Sequence, residues 1–369
     1  MPEMNRIKAR MGSVDALRGL TVAAMLLVND AGDWSHVYPW LEHAEWHGCT
    51  PADFIFPFFL LIVGVSVNLA LGPRLGDGPA LDATARAWRG AVARGVLLRG
   101  ARIVLLGLAL HLVATLLLHD RSFRLFGVLQ RTGICFAAAG LLAVHVRDAR
   151  AHWAALIAIL LGYWALLAAG GSLQPDQNLA DRIDSALLGH LAYQYDAGTG
   201  RAHDPEGILA TLPALATVIL GMRAGAWLRA GEQRKLVLAG VLAVLAGGGW
   251  SLLLPLNKQL WTSSFVLWTG GFGMLAIALA HRLIDLRGWP ALGRSLGVNA
   301  IAAYAGSWVA TCAIEGSGIM QPLYDTVFAR PLTPYTGPFI PSLLFAAAFT
   351  AIFWLLMRGF ARRGWLITI

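Results

Sequence analysis

The sequence predicts an all-α, polytopic membrane helix bundle of about ten transmembrane helices, with both termini cytoplasmic. Three observations predict it. Of the 369 residues, 57% are hydrophobic and 14% are charged, and mean hydropathy is +0.60. A soluble domain is nearer half apolar and a quarter charged. Ten apolar stretches also punctuate the chain, at 14–29, 52–71, 103–118, 127–146, 152–171, 208–228, 235–256, 261–284, 295–313 and 339–358. At about 20 residues per span they leave loops rather than room for a large soluble domain. Lastly, with the N-terminus inside, 22 of the 29 lysines and arginines fall in inner segments and 7 in outer ones. The positive-inside rule requires such an imbalance, and one missed or invented span would scramble it. Disorder, a coiled coil, a collagen-like chain and an ordinary cytosolic enzyme are thereby excluded. A single transmembrane domain over residues 1–369 is expected. The net charge of +8 belongs to cytoplasmic loops and not to a nucleic-acid surface.

Taken in order, Arg6, Lys8 and Arg10 precede the first stretch as they would in a signal peptide. No small-x-small cleavage pattern follows before Asn29 and Asp30, so a retained first helix is expected. The outer segment 30–51 holds His36, His43 and His47 with Asp30, Asp33, Glu42 and Glu45, and no lysine or arginine. In Thr50-Pro51-Ala52-Asp53, Thr50 fits the N-cap of the second helix, Pro51 its first position and Asp53 the capping-box acid. That role leaves Asp53 able to orient His43 as well. His111 lies in the third stretch, and Gln130 and Arg131 open the fourth. Residues 172–207 are polar, with a surface helix expected at 178–192. Asp204-Pro205-Glu206-Gly207 repeats the cap pattern, with Asp204 as N-cap. Gly221 and Gly225 form a small-xxx-small pair suited to helix packing. Asn257 and Lys258 lie between the seventh and eighth stretches, and Asn299 lies in the ninth. Residues 314–338 are rich in proline and glycine and suit a partly re-entrant segment.

Three cysteines (Cys49, Cys135, Cys312), an odd number with no CxxC spacing, argue for neither a disulfide framework nor a zinc site. The three loop histidines have no committed helix to converge them on a metal, so no metal is expected. An ionisable group at membrane depth costs about 2.5–3.5 kcal/mol on insertion scales, so each asks for a partner or a watery cavity. Interfacial anchoring and capping explain any one of these residues. Their number near the outer boundary favours a shared outer cavity. His43, in Glu42-His43-Ala44-Glu45-Trp46-His47-Gly48, is the candidate reactive group. An imidazole beside carboxylates is suited to taking a proton or to carrying an acyl group.

Several segments together resemble the heparan-α-glucosaminide N-acetyltransferase family, its bacterial members most closely. They are Ser13-Val14-Asp15-Ala16-Leu17-Arg18-Gly19, Val28-Asn29, His43-Ala44-Glu45-Trp46-His47-Gly48 and Asp53-Phe54-Ile55-Phe56-Pro57-Phe58-Phe59. Further on come Gly127-Val128-Leu129-Gln130-Arg131, His203-Asp204-Pro205-Glu206-Gly207, Pro255-Leu256-Asn257-Lys258-Gln259-Leu260-Trp261-Thr262 and Gly297-Val298-Asn299-Ala300. Each motif is short, and their order over nearly the whole chain makes the match specific. The resemblance implies a transmembrane acetyltransferase in the bacterial inner membrane. Acetyl-CoA would be the cytoplasmic donor and an amino sugar or glycan the acceptor at the periplasmic face. It places the family's catalytic histidine on His43 and its active-site asparagine on Asn29, with Asp53 beside them. Candidate donor-binding residues are Arg18, Arg102, Gln130, Arg131, Asn257, Lys258, Trp261 and Asn299. The inner arginines Arg86, Arg89, Arg94 and Arg99 are further candidates for the CoA phosphates. A homodimer is an expectation drawn from relatives.

Two departures bear on the acceptor. The Asn29–His43 loop is longer than in the animal enzyme, and His47 stands where that enzyme has asparagine. The animal enzyme's lumenal domain is expected to be absent, which favours a cell-envelope glycan over heparan sulfate. An amino-sugar transporter and an O-acyltransferase are the alternatives. A non-catalytic scaffold would have little use for Asn29, His43, Gln130 and Lys258 at costly positions.

Overall fold

The computed structural model describes residues 11–75 and 83–367, the side chains of 74, 75 and 83–86 excepted. The N-terminal Arg6, Lys8 and Arg10 and the side chain of Arg86 therefore lie outside the described residues. The described chain is helical almost throughout. In order it forms α1 (Gly12–Asn29), α2 (Ile55–Leu75), α3 (Ala83–Leu117), α4 (Val128–His145), α5 (Ala149–Ala169) and the short α6 (Leu179–Leu187). After a small hairpin of β1 (Gln194–Asp196) and β2 (Arg201–His203) come α7 (Thr211–Arg229), α8 (Gln233–Trp250), α9 (Ser263–Ala280) and α10 (Arg294–Val298). The chain ends with α11 (Ala300–Gly316), α12 (Met320–Tyr324), α13 (Arg330–Thr336) and α14 (Phe339–Arg362).

Each of the ten apolar stretches falls on helix. Among the described residues, seven helical segments are long and apolar enough to cross a bilayer, on α2, α3, α4, α5, α7, α9 and α14. The other three stretches fall on α1 and α8, of 18 residues each, and on α10 with α11. α3 is longer than its apolar run. It spans 35 residues, roughly 52 Å at 1.5 Å per residue, against a hydrocarbon core of about 30 Å. Its basic first half, with Arg89, Arg94, Arg99 and Arg102, continues the helix because arginine, alanine and leucine are all strong helix formers.

Packing is closest where side chains are absent. A Cβ on Gly221 of α7 would sit 2.1 Å from the Leu61 carbonyl oxygen of α2, so the pair predicted from Gly221 and Gly225 does seat one helix against another. α10 is pinned to α1 in the same way: a Cβ on Gly297 would sit 1.7 Å from the Asp15 carbonyl oxygen. The ninth stretch breaks between α10 and α11 at Asn299. That fully buried amide donates to the Trp365 carbonyl (3.1 Å) and accepts from the Ile367 N–H (2.9 Å), clamping the C-terminal segment.

One expected cap is corrected. Asp204 does not start a helix, and α7 begins at Thr211. The Asp204 carboxylate is taken up by Arg124 (Nη2 at 2.6 Å, Nε at 3.1 Å), the Tyr193 N–H and the Glu206 N–H. Residues 204–207 form a turn instead. The Thr50–Asp53 cap does form: the Asp53 carboxylate accepts from the Thr50 N–H at 2.9 Å and opens a 3₁₀ turn, Pro51–Phe54, that runs into α2. The expected surface helix is α6, capped by the Asn178 side chain accepting from the Asp181 N–H at 2.8 Å.

Candidate active site

Two cavities lie on either side of a narrow apolar neck. One, beside the arginines of α1 and α3 and termed the inner cavity, is about 570 Å³ and has Arg18, Ser66, Arg99, Phe136 and Gly297 among its walls. The other, at the opposite end of α1 and termed the outer cavity, is about 360 Å³ and is lined by Asn29, Asp30, Tyr304, Trp308 and Thr311 among others. Between them is a void of about 10 Å³ bounded by Val22, Met25, Phe59, Val128, Leu129, Ala300, Ile301 and Tyr304. It shares Met25 and Tyr304 with the outer cavity, and Phe59, Leu129, Ala300 and Ile301 with the inner one. The three spaces thus adjoin in series, with polar lining in the two cavities and an apolar void between them.

Arg18 is held firmly at the inner cavity. Its guanidinium donates to Ser66 Oγ (2.7 Å), to Asp15 (3.1 Å) and to the Gly297 carbonyl (3.2 Å). Arg102 is exposed and does not line this cavity. Arg99, one turn earlier, does, with its guanidinium 5.3 Å from the Phe136 ring centroid. Asn29 ends α1 at the outer cavity with its side chain exposed.

His43 and Asp53 form a pair at the start of α2. His43 Nδ1 lies 2.9 Å from Asp53 Oδ1. The Asp53 carboxylate is fully buried, and its other oxygen accepts from the Ala44 and Thr50 N–H groups. Lys258 Nζ stands 3.8 Å from Asp53 Oδ1. A carboxylate so supplied with donors and a cation is an acceptor, so Nδ1 carries the proton and Nε2 presents its lone pair. The His43 side chain is 39% exposed, so the ring reaches solvent. His43 is not among the residues that line either cavity. The structure therefore gathers His43, Asp53 and Lys258 into one group, and Asn29 and Asp30 into another, joined by the segment 30–54.

Behind the pair lies a buried charge network. Arg124 binds Asp204 and Glu206, and its cation lies 4.6 Å from the Tyr193 ring centroid. Burial alone would raise the Glu206 pKa, but Arg124, Arg131 and Lys258 hold it below the usual carboxylate value. Burial pushes the Lys258 ammonium down, against the pull of Asp53 and Glu206. Arg131 is wholly buried, reaches the Gly207 carbonyl at 3.4 Å and stacks over Trp261 at 5.1 Å. Trp261 is itself strained, with φ at +51°, and its indole N–H donates to Thr217 at 3.1 Å. Gln130 meets His111 at 3.2 Å, and Asn257 meets His47 at 3.3 Å. Burial lowers the His47 pKa. Of the expected donor-binding residues, only Arg18 lines the inner cavity; Lys258 faces Asp53, Asn257 meets His47, Arg131 stacks on Trp261, Gln130 meets His111, and Asn299 holds the C-terminal segment.

Sequence reasoning did not foresee the pairing of His203 with Asp181 (Nδ1–Oδ1 2.6 Å), under the Trp46 ring at 5.5 Å. Burial works against the imidazolium, yet the Asp181 hydrogen bond and charge outweigh it and raise the His203 pKa above its usual 6.5. A raised folded-state pKa means the pair stabilises fully below about 6.5, and that stability fades as pH rises through the higher folded value. The melting-temperature gap between the wild-type chain and His203→Gln is therefore expected to shrink as pH rises from about 6 to 8. A gap that widens would contradict the assignment.

A family model described as "Heparan-alpha-glucosaminide N-acetyltransferase, catalytic" matches residues 10–260. Two curated relatives carry the name heparan-alpha-glucosaminide N-acetyltransferase. The Homo sapiens protein is 26% identical over 370 residues, covering 82% of this chain and 53% of its own length. The Mus musculus protein is 27% identical over 373 residues, covering 83% and 54%. The chain spans about half the length of the curated relatives it matches.

Proposed function

Because this chain belongs to the heparan-alpha-glucosaminide N-acetyltransferase family, we propose that it carries an acetyl group across a membrane. The donor is acetyl-CoA on the basic face, and the acceptor is an amino sugar or glycan on the opposite face. The bacterial inner membrane, with both termini cytoplasmic, is the setting. The observation that carries this reading is the neck shared by the two cavities.

The inner cavity, with Arg18 and Arg99, suits the phosphates of CoA through charge-assisted contacts. The uncharged neck, whose void of about 10 Å³ must widen to pass the pantetheine arm, would then bring the thioester toward Asn29. A hydrogen bond from the Asn29 amide to the developing oxyanion would contribute about 2.7–4 kcal/mol in the transition state. The acceptor nitrogen attacks the thioester carbon, the new N–C bond forms and the C–S bond breaks. The nitrogen's proton passes to His43 Nε2 and on to solvent, and the departing CoA thiolate takes up a proton from solvent. His43 serves better as base than as acyl carrier. A carrier must bond to the thioester carbon itself, whereas a base outside both cavities can take the proton through one bridging water.

Proteoliposomes test this directly. With acetyl-CoA outside and glucosamine enclosed, N-acetylglucosamine is expected to accumulate inside while free CoA appears outside. Glucosamine flux without acetyl-CoA and without acetylated product would favour a transporter instead.

A further inference from the structure

The outer cavity holds a carboxylate that the acetyl-transfer chemistry leaves unused. Asp30 follows Asn29 at the end of α1, and its side chain is almost wholly enclosed, with 7% exposure. Thr311 of α11 donates to Oδ1 at 2.6 Å. The second oxygen makes no hydrogen bond among the described residues. Asp30 and Thr311 both line the cavity, together with the aromatic walls Trp34, Tyr304 and Trp308. Glu315 adds a second carboxylate and Arg121 a single guanidinium. The lining thus carries two acids against one base.

An enclosed carboxylate with one donor is an expensive feature, since a buried charge wants a partner. Burial answers in part by pushing its pKa up to about 7, against the lowering effect of Thr311. A cation placed at the free oxygen answers it fully. Aromatic faces around the same space attract a cation through their quadrupoles and give the apolar face of a sugar ring a surface to lie on.

We propose that Asp30 is the acceptor's ammonium anchor: its free oxygen pairs with the protonated amine of an amino sugar held in the outer cavity, so that amino sugars are selected over hydroxy sugars. This deepens the acetyl-transfer reading and takes its chemistry from it. Discrimination is expected to be large, because a site built for a polar group rejects the analogue that lacks it far more strongly than a site that merely tolerates it. Before transfer the anchored ammonium gives one proton to solvent, and the second passes to His43 as the N–C bond forms.

The test uses the full chain in nanodiscs and three sugars: glucosamine, glucose and N-acetylglucosamine. Labelled glucosamine binding is measured first without acetyl-CoA, with each neutral sugar as competitor. Steady-state transfer at saturating acetyl-CoA follows for the wild type, Asp30→Asn, Asp30→Glu and Thr311→Val. The expected result is that neither neutral sugar competes and that Asp30→Asn raises the glucosamine KM at least about 10-fold, the scale of losing one charged contact. The acetyl-CoA KM stays put, and Asp30→Glu recovers part of the loss. A merely structural aspartate would instead change both KM values together and would show no rescue by glutamate. The proposal is overturned if glucose competes as well as glucosamine on the wild-type chain, a result that does not depend on any variant folding. It is also overturned if Asp30→Asn binds glucosamine as the wild type does. Binding that depends on Asp30 without any acetyl transfer would sink the acetyltransferase reading while sparing the anchor.

Discussion

Replacing His43 with alanine is expected to slow acetyl transfer by about 10²–10⁴-fold, the range a positioned general base supplies. Acetyl-CoA binding should survive, because His43 does not line the inner cavity. Asp53→Asn is expected to fall in the same range for a different reason. The Asp53 carboxylate accepts from His43 Nδ1, Ala44 N and Thr50 N, and faces Lys258. An amide in its place offers one acceptor oxygen and an NH₂, leaves Lys258 facing no charge there, and no longer dictates which imidazole nitrogen holds the proton. Because the two residues act as a unit, the double variant should be little worse than either single one. Initial rates of N-acetylglucosamine formation check both effects. Mass spectrometry after incubation with acetyl-CoA alone separates base from carrier: the base reading expects unmodified His43, and an acetyl-imidazole would refute it. Full transfer by His43→Ala would remove the residue from the chemistry altogether.

What could be read from the chain beforehand follows how far apart the interacting groups are. The apolar runs that become α2 and α14 are local features, and so is the cap in which Asp53 binds Thr50 three residues away. Asn29 stands out because it ends an apolar run. The same local pattern misleads at Asp204, where Arg124, 80 residues earlier, claims the carboxylate. No spacing rule relates Asp30 to Thr311, 281 residues apart, or His203 to Asp181 across a hairpin. Arg102 and Arg99 share one sequence context and one basic stretch. Both are exposed, and only the packing of α3 against α4 sets Arg99 beside Phe136 at the inner cavity. Composition identifies the solvent of each residue, and the tertiary arrangement identifies its partner.

The neck supplies the second large effect. Val128 opens α4 and lines the void without lining either cavity. Val128→Phe would overfill a space of about 10 Å³. Transfer from acetyl-CoA on the basic face to glucosamine on the other is expected to fall by more than about 10²-fold, since small misplacements of a reacting group already cost that much. Overpacking also destabilises, typically by about 1–3 kcal/mol, so the variant needs a measurement that a general loss of folding would change. CoA binding to the inner cavity is that measurement, because Arg18 keeps its bonds to Ser66 and Gly297 whether or not the neck is open. Retained CoA affinity with lost transfer is the signature of a blocked passage. Met25→Ala, which trims a flexible side chain on the outer-cavity side of the same void, should leave transfer intact or increase it and should admit bulkier acyl groups such as propionyl. If Val128→Phe binds CoA and still acetylates enclosed glucosamine at the wild-type rate, the acyl group does not travel through the neck, and the two cavities serve separate ends.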